Sequence, residues 1–265
     1  MKDILEEIVA RQRIVVAEEQ LQVPAAELER RVAERSSSAT RSMSRSLRES
    51  SHGIIAEFKR RSPSKCWIKR HARANEIAGA YSEVGAAAIS ILTNVDYFGG
   101  ALADIVDARP HTVGTPLLRK EFIIDEYQLL QAASVGADAV LLIAAALKSP
   151  KRCRELAAFA RSLGLEVLLE IHSASELDHV NDHVNMVGVN NRNLGTFHTD
   201  VENSYELARR LPAEIVKVSE SGISKPETVR ELRQAGFNGF LIGECFMSTP
   251  NPAETLRQFI KEVTA

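Results

Sequence analysis

The sequence predicts an α/β fold, a single (β/α)8 TIM barrel with an N-terminal helical extension, and three observations predict it. From Gly53 onward, short runs rich in β-branched residues alternate with amphipathic stretches, which implies a parallel sheet with right-handed crossovers. Eight runs can be counted, at about 53–58, 86–92, 116–120, 138–143, 165–170, 185–190, 214–219 and 239–242, and eight favour a closed barrel over an open sheet. The 265 residues suit a barrel of roughly 250, and no Gly-x-Gly-x-x-Gly follows the first run to argue for a doubly wound sheet.

Residues 1–48 have a different texture. Ile4, Ile8, Val15 and Val16 recur at roughly helical spacing, Val23-Pro24 interrupts them, and Leu28 to Val32 resume the pattern, so two helices are expected before the first strand. The Ser-rich segment Ser36–Ser46 reads as a turn and the start of a capped helix packed on the barrel, which makes residues 1–265 one domain with 1–48 as its extension. The first strand ends in Glu57 and Lys59, whose spacing of two sends both side chains to one face. A buried ion pair seldom stabilises more than apolar packing would, so chemistry is the better reason for the pair. The polar, cationic run Arg60–Lys65 follows, broken by Pro63 into a loop suited to closing over an anion. Further on, Val84-Gly-Ala86, Val135-Gly-Ala137 and Ala235-Gly-Phe237 carry the glycine stop of a helix returning to the sheet.

Bulk properties exclude several classes of function. A net charge of −2 gives no reason to expect nucleic acid or an acidic membrane as partner. Cys66, Cys153 and Cys245 are too few and too scattered for a disulfide framework or a zinc site, and they suit a reducing cytosol. No continuous apolar segment of signal-peptide or membrane-spanning length occurs, so a cytoplasmic location is expected.

In such a barrel all strand carboxyl ends face one mouth, where side chains far apart in sequence meet. These ends carry Glu57, Lys59, Lys120, Glu170, Asn190, Arg192 and Glu220. Alternation puts Lys120 on the face of Leu118, Glu170 on that of Leu168, and Glu220 on that of Val216 and Val218, so each charge caps an inward apolar row. Any single strand-end charge is more often a solvated rim group, but the whole set at one mouth outweighs that reading. Lys59 and Lys120 are expected to depress one another's pKa, making one a proton donor and a neighbouring carboxylate a base; a Schiff-base lysine is the competing reading. Ser219-Glu-Ser-Gly-Ile223 and Leu241-Ile-Gly-Glu244 follow the last two strands, where phosphate sites commonly form, with Gly222 and Gly243 allowing backbone N–H groups to approach. Glu244 fits only if its side chain points away. Trp67 is read equally as loop anchor and ligand contact, Cys66 as an ordinary thiol, and Thr93–Gly100 as a loop shaping the mouth. His172, His179 and His183 match no metal spacing and are read as surface residues of a helix.

Taken together, these motifs resemble the indole-3-glycerol phosphate synthase family over essentially the whole chain. The resemblance is carried by Ile55–Lys65, Ser90–Thr93 with Tyr97–Gly100, Leu118–Ile123, Gly136–Ile143, Gly188–Leu194, Ser219–Ile223 and Phe240–Gly243. It implies a cofactor-free, metal-free ring closure in which 1-(2-carboxyphenylamino)-1-deoxyribulose 5-phosphate loses carbon dioxide and water to give indole-3-glycerol phosphate. It further implies Lys120 as general acid, Glu170 as base or proton acceptor, and Glu57, Lys59 and Asn190 as catalytic groups that position the substrate and assist the later dehydration. Ser62, Arg192 and Glu220 would complete the polar ring, and Phe122 and Leu141 would line the anthranilate pocket. Ser221, Gly222, Leu241, Gly243 and Glu244 would form the phosphate end. The partner implied is a small phosphorylated substrate, and the protein is expected to be a monomer or weak homodimer. Two departures from the family pattern stand out: Cys66 replaces a glycine, where φ > 0 would cost about 1 kcal/mol, and Glu121 replaces an aspartate. The alternatives are a phosphosugar barrel like phosphoribosylanthranilate isomerase and, prompted by Cys66, a non-catalytic barrel binding a phosphorylated ligand.

Overall fold

Inward and outward side chains alternate along eight parallel strands that close on themselves. The computed structural model describes residues 4–35, 41–63, 66–192 and 199–265. The barrel strands are β1 (Ile54–Phe58), β2 (Ala88–Leu92), β3 (Leu117–Lys120), β4 (Ala139–Ile143), β5 (Glu166–Ile171), β6 (Met186–Asn190), β7 (Val216–Glu220) and β8 (Gly239–Ile242). Each pairs in parallel with its neighbours, and β1 closes on β8 with Ile54 opposite Phe240. All eight expected strands are present, with bounds shifted by two residues at most. Gly85, Gly136 and Gly236 adopt φ of 90°, 85° and 95° where the expected glycine stops end their helices.

Two apolar layers result from the period-two pattern. Ile55, Leu118, Leu141, Leu168, Met186, Val216, Val218 and Leu241 fill the barrel interior. Their strand neighbours Ile54, Phe58, Ile91, Val140, Leu169, Val187 and Phe240 face outward and pack under the surrounding helices. The charges at the ends of β1, β3, β5 and β7 therefore continue inward rows, as alternation requires.

Among the described residues three helices precede β1, the two expected from the apolar spacing and the capped one expected from the Ser-rich segment: α1 (Ile4–Gln22), α2 (Ala25–Arg35) and α3 (Met43–Glu49). The third begins because the Ser42 hydroxyl accepts the Arg45 N–H as a helix cap and also donates to Glu166 at 2.7 Å. Residues 36–40 of the Ser-rich segment lie outside the described residues. Met43 and Leu47 of α3 are buried against the interior row and close the barrel's amino-terminal end. At the opposite end α1 lies over the mouth: Arg11 meets Asp96 at 2.7 Å, Gln12 accepts from Asn94, and Gln131 donates to Glu19.

After β1 the chain makes a short antiparallel hairpin, Arg61–Ser62 with Cys66–Trp67; Ser64 and Lys65 of the cationic loop lie outside the described residues. Cys66 has φ 53°, so the conformation that favours glycine is adopted here by a residue with a side chain. Trp67 anchors the hairpin, stacked between the guanidinium groups of Arg61 and Arg70 at 5.8 and 5.0 Å from its ring centre. Arg60 binds the base of the hairpin to the next βα unit through two 2.6 Å bonds to Asp104 and one to Gly99 O.

Candidate active site

Lys120 is the centre of the charges gathered at the mouth. Its ammonium donates to Glu220 Oε2 at 2.8 Å and lies 3.8 Å from Glu170 Oε2. Lys59, two residues beyond Glu57 on the same face, pairs with Glu57 Oε1 at 2.7 Å. Asn190, at the end of β6, donates to Glu170 Oε1 at 3.0 Å and fixes that carboxylate from the other side.

These contacts reverse one expectation. The two lysines are not arranged to depress each other, because each is engaged by carboxylates. Burial pushes Lys120 down, but Glu220, Glu170 and Glu57 together outweigh it and hold its pKa above the ordinary lysine value. Lys120 is therefore an ammonium across the neutral range, suited to donating a proton and unsuited to attacking a carbonyl as a free amine. Burial also raises Glu57, yet Lys59 and Lys120 draw it below the usual carboxylate range, so it stays ionised. Glu220 goes the other way: burial, with Glu170 and Glu57 nearby, pushes it up to about 7 against the pull of Lys120.

Two glycines make this crowding possible. A Cβ at Gly188 on β6 would overlap Glu220 Oε1 and stand 3.2 Å from its Cδ. One at Gly243 would overlap Glu57 Oε1 and stand 2.9 Å from its Cβ.

Above the charges lies a cavity of about 180 Å³. Its walls include Glu57, Lys59, Lys120, Glu170, Asn190, Arg192, Phe122, Leu141, Ser221, Gly222, Leu241, Gly243 and Glu244. Of the expected site residues, Glu220 lies beneath the cavity, bonded to Lys120, and Ser62 is buried in the hairpin and is not among the cavity walls. Asn193 and Leu194 lie outside the described residues. Phe122 and Phe98, with ring centres 6.2 Å apart, form an aromatic wall together with Leu92, Leu141 and Ile143. On another side Ser221 and Gly222, both left-handed at φ 69° and 77°, meet Gly243 and Glu244 from the turn after β8. No group of acidic, His and Cys side chains able to hold a metal ion occurs among the described residues.

Four residues do more in the structure than their sequence pattern suggests. Phe98 sits on the loop taken only as a shaper of the mouth, and its ring is part of the wall. Glu121 accepts from Thr93 Oγ1 at 2.8 Å, Asn94 Nδ2 at 2.9 Å and the Phe122 N–H at 3.0 Å, which ties the aromatic wall to the loop under α1. His172 and His179 are not surface groups: His172 lies inside, with Nε2 3.3 Å from Glu170 Oε1, and His179 is buried under the 3-10 turn Ala174–His179. The signal for His172 was present, because one further inward step past Glu170 on the alternating strand reaches residue 172.

A closed parallel barrel with an ammonium held among carboxylates at its carboxyl-terminal mouth is built as an acid–base enzyme. The sequence profile of indole-3-glycerol phosphate synthase matches residues 5–259. An indole-3-glycerol phosphate synthase of Bacteroides thetaiotaomicron is 60% identical over 263 residues, covering 99% of this chain and 100% of that one. That of Salinibacter ruber is 44% identical over 262 residues, covering 98% and 96%. Among solved structures, 3-hexulose-6-phosphate synthase of Salmonella typhimurium aligns at a TM-score of 0.62 with 11% identity over 80% of this chain and 98% of that one. A mutant tryptophan synthase alpha-subunit of Pyrococcus furiosus aligns at 0.60 with 17% identity over 80% and 97%. These two likenesses speak to the barrel alone. The chain belongs to the indole-3-glycerol phosphate synthase family.

Proposed function

We infer that the protein is a carboxy-lyase of tryptophan biosynthesis that converts 1-(2-carboxyphenylamino)-1-deoxyribulose 5-phosphate to indole-3-glycerol phosphate, carbon dioxide and water. The observation that carries the reading is Lys120, an ammonium kept charged by Glu220, Glu170 and Glu57 at the floor of a cavity with an aromatic wall. A ring closure onto a ketone needs such a group, since the carbonyl oxygen gains negative charge as the carbon–carbon bond forms.

In this reading the carboxyphenyl ring lies against Phe98 and Phe122, and the ribulose carbonyl faces Lys120. Lys120 protonates that oxygen as the ring carbon bearing the carboxylate attacks the carbonyl carbon. Carbon dioxide then departs from that ring carbon and leaves its bonding electron pair to restore aromaticity. Glu170, oriented by Asn190, removes a proton from the methylene beside the nitrogen while the new hydroxyl leaves as water. Lys59 protonates that leaving group, and the ionised Glu57 paired with it orients the ribulose chain. The phosphate is held by backbone N–H groups of Ser221, Gly222, Gly243 and Glu244, with Arg192 adding positive charge at the rim. Residues 1–48 act as the extension of a single domain, and the enzyme works in the cytosol as a monomer or weak homodimer on this substrate, with no metal or organic cofactor.

Incubating the purified protein with the carboxyphenylamino substrate tests the reading. Indole fluorescence should rise in step with carbon dioxide release, and a flat trace with folded protein would refute it.

A further inference from the structure

Ring closure by this route consumes a proton. One proton goes to the carbonyl oxygen, a second leaves with the departing hydroxyl as water, and only one returns from the methylene, because the carboxylate departs as neutral carbon dioxide. The site must therefore take up one proton from solvent per turnover, although Glu170 and Glu220 are almost wholly buried and bound substrate fills the cavity above them.

A path exists beside Glu170 through side chains that are not among the cavity walls. The His172 imidazole stands with Nε2 3.3 Å from Glu170 Oε1 and Nδ1 3.7 Å from Glu176 Oε2. Both ring nitrogens are buried and face carboxylates without a short, well-aligned hydrogen bond, an arrangement that native interiors seldom leave unused. Glu176 is fixed by accepting the His172 N–H at 2.6 Å, and Asn203 donates to the His172 carbonyl at 3.0 Å, so the ring's backbone is held from two elements. Side-chain exposure rises outward along the row, from 4% at Glu170 to 14% at His172 and 18% at Glu176. An imidazole can take a proton on one nitrogen while releasing one from the other, which a carboxylate or amide in its place cannot do as well.

We propose that Glu176 and His172 form the route by which a proton from solvent reaches Glu170 and passes on to Lys120, 3.8 Å away, restoring the ammonium spent on the carbonyl oxygen and leaving Glu170 ionised to act as the base. The inference rests on the ring-closure reading above. His172 acts through Glu170 and does not line the cavity. The charged groups facing the imidazole are Glu170 from β5, Glu176 from the turn that follows and Glu220 from β7, with Lys120 beyond Glu170 and His179 near Glu176. Burial pushes the imidazole down, but Glu176, Glu170 and Glu220 outweigh it and keep it protonated to higher pH than a free histidine, so it is loaded when the site needs it.

The test compares steady-state turnover of the wild type, His172→Ala and Glu176→Gln in light and heavy water, with imidazole or pyrazole added. Glu176→Gln keeps an oxygen to accept the His172 N–H but carries no proton. In both variants kcat should fall about 10- to 100-fold with KM changed by less than about twofold, and the solvent isotope effect should rise as proton delivery becomes limiting. Imidazole should restore His172→Ala, and pyrazole, a ring of the same shape but far weaker basicity, should not. Equal rescue by both rings would mean a packing role and would overturn the relay, as would both variants turning over like the wild type. If His172→Ala does not fold, the isotope effect of Glu176→Gln decides alone. A wild type that forms no product would overturn the ring closure and the relay together; an active wild type with unimpaired variants overturns only the relay.

Discussion

Gly188→Ala would add a single methyl group in the wall of β6, and the structure places its consequence on Glu220 of the neighbouring strand β7. The new Cβ would overlap Glu220 Oε1, stand 3.2 Å from Glu220 Cδ and press Leu168 Cδ1 at 3.3 Å. Leu168 and the strand backbone are fixed by the interior packing, so the carboxylate must swing, and the 2.8 Å bond from Lys120 is lost or lengthened. A charge-assisted hydrogen bond contributes about 1.5–3 kcal/mol. If the same contribution is felt in the transition state, kcat/KM should fall about 10- to 150-fold. Overpacking should cost about 1–3 kcal/mol of stability, leaving the protein folded at room temperature. Indole fluorescence kinetics and urea unfolding measure the two effects. The path through Glu220 is tested by repeating the substitution in a Glu220→Ala background, where Gly188→Ala should cost little more activity. An equal loss in both backgrounds, or full activity in Gly188→Ala alone, would refute the reasoning.

Two further outcomes follow from the same contacts. Burial raises Glu220 from the ordinary 4.5 to about 7, so between those values the folded protein binds more protons than the unfolded chain, and this group's stabilisation is complete below 4.5 and is lost as pH rises through 7. Urea unfolding across that window should show wild-type stability falling relative to Glu220→Gln; parallel curves would contradict it. Glu121→Ala leaves the Thr93 hydroxyl, the Asn94 amide and the Phe122 N–H without their acceptor, at about 1–3 kcal/mol for each group that water cannot reach. Its stability should drop by about 2–4 kcal/mol and its KM should rise as Phe122 loosens, whereas an unchanged KM would mean that the aromatic wall does not depend on this carboxylate.

The fold was legible because its signals are local and repeated. Period-two runs such as Leu117–Lys120 and glycine stops such as Gly136 need only neighbouring residues to be read. The candidate site was legible through one global rule, that strand ends share a mouth, which brought Lys120, Glu170 and Asn190 together from distant stretches. What stayed hidden depends on which partner a side chain finds there. The sequence put two lysines in one pocket and suggested mutual repulsion, but Lys59 is engaged by Glu57 and Lys120 by Glu220, so Lys120 rises instead of falling. Ser62 shares a motif with the site, yet the hairpin turns it into its own base. The spacing of His172 to His179 and His183 matches no metal motif and says nothing of its place, whereas its parity with Glu170 puts it on the inward face. Gly188 was a mid-strand glycine whose meaning, room for Glu220, appears only once β6 and β7 are side by side.

The central claim is that Lys120 is the proton donor for ring closure, and Lys120→Met tests it most directly. Methionine retains the length and apolar stem of the side chain and removes only the ammonium. The account predicts that kcat falls by about 10³-fold or more while KM stays within several-fold and urea unfolding stays cooperative. A folded Lys120→Met variant that retains within about tenfold of wild-type kcat would contradict it, because the proton would then have to come from another group, such as Lys59 in the cavity wall.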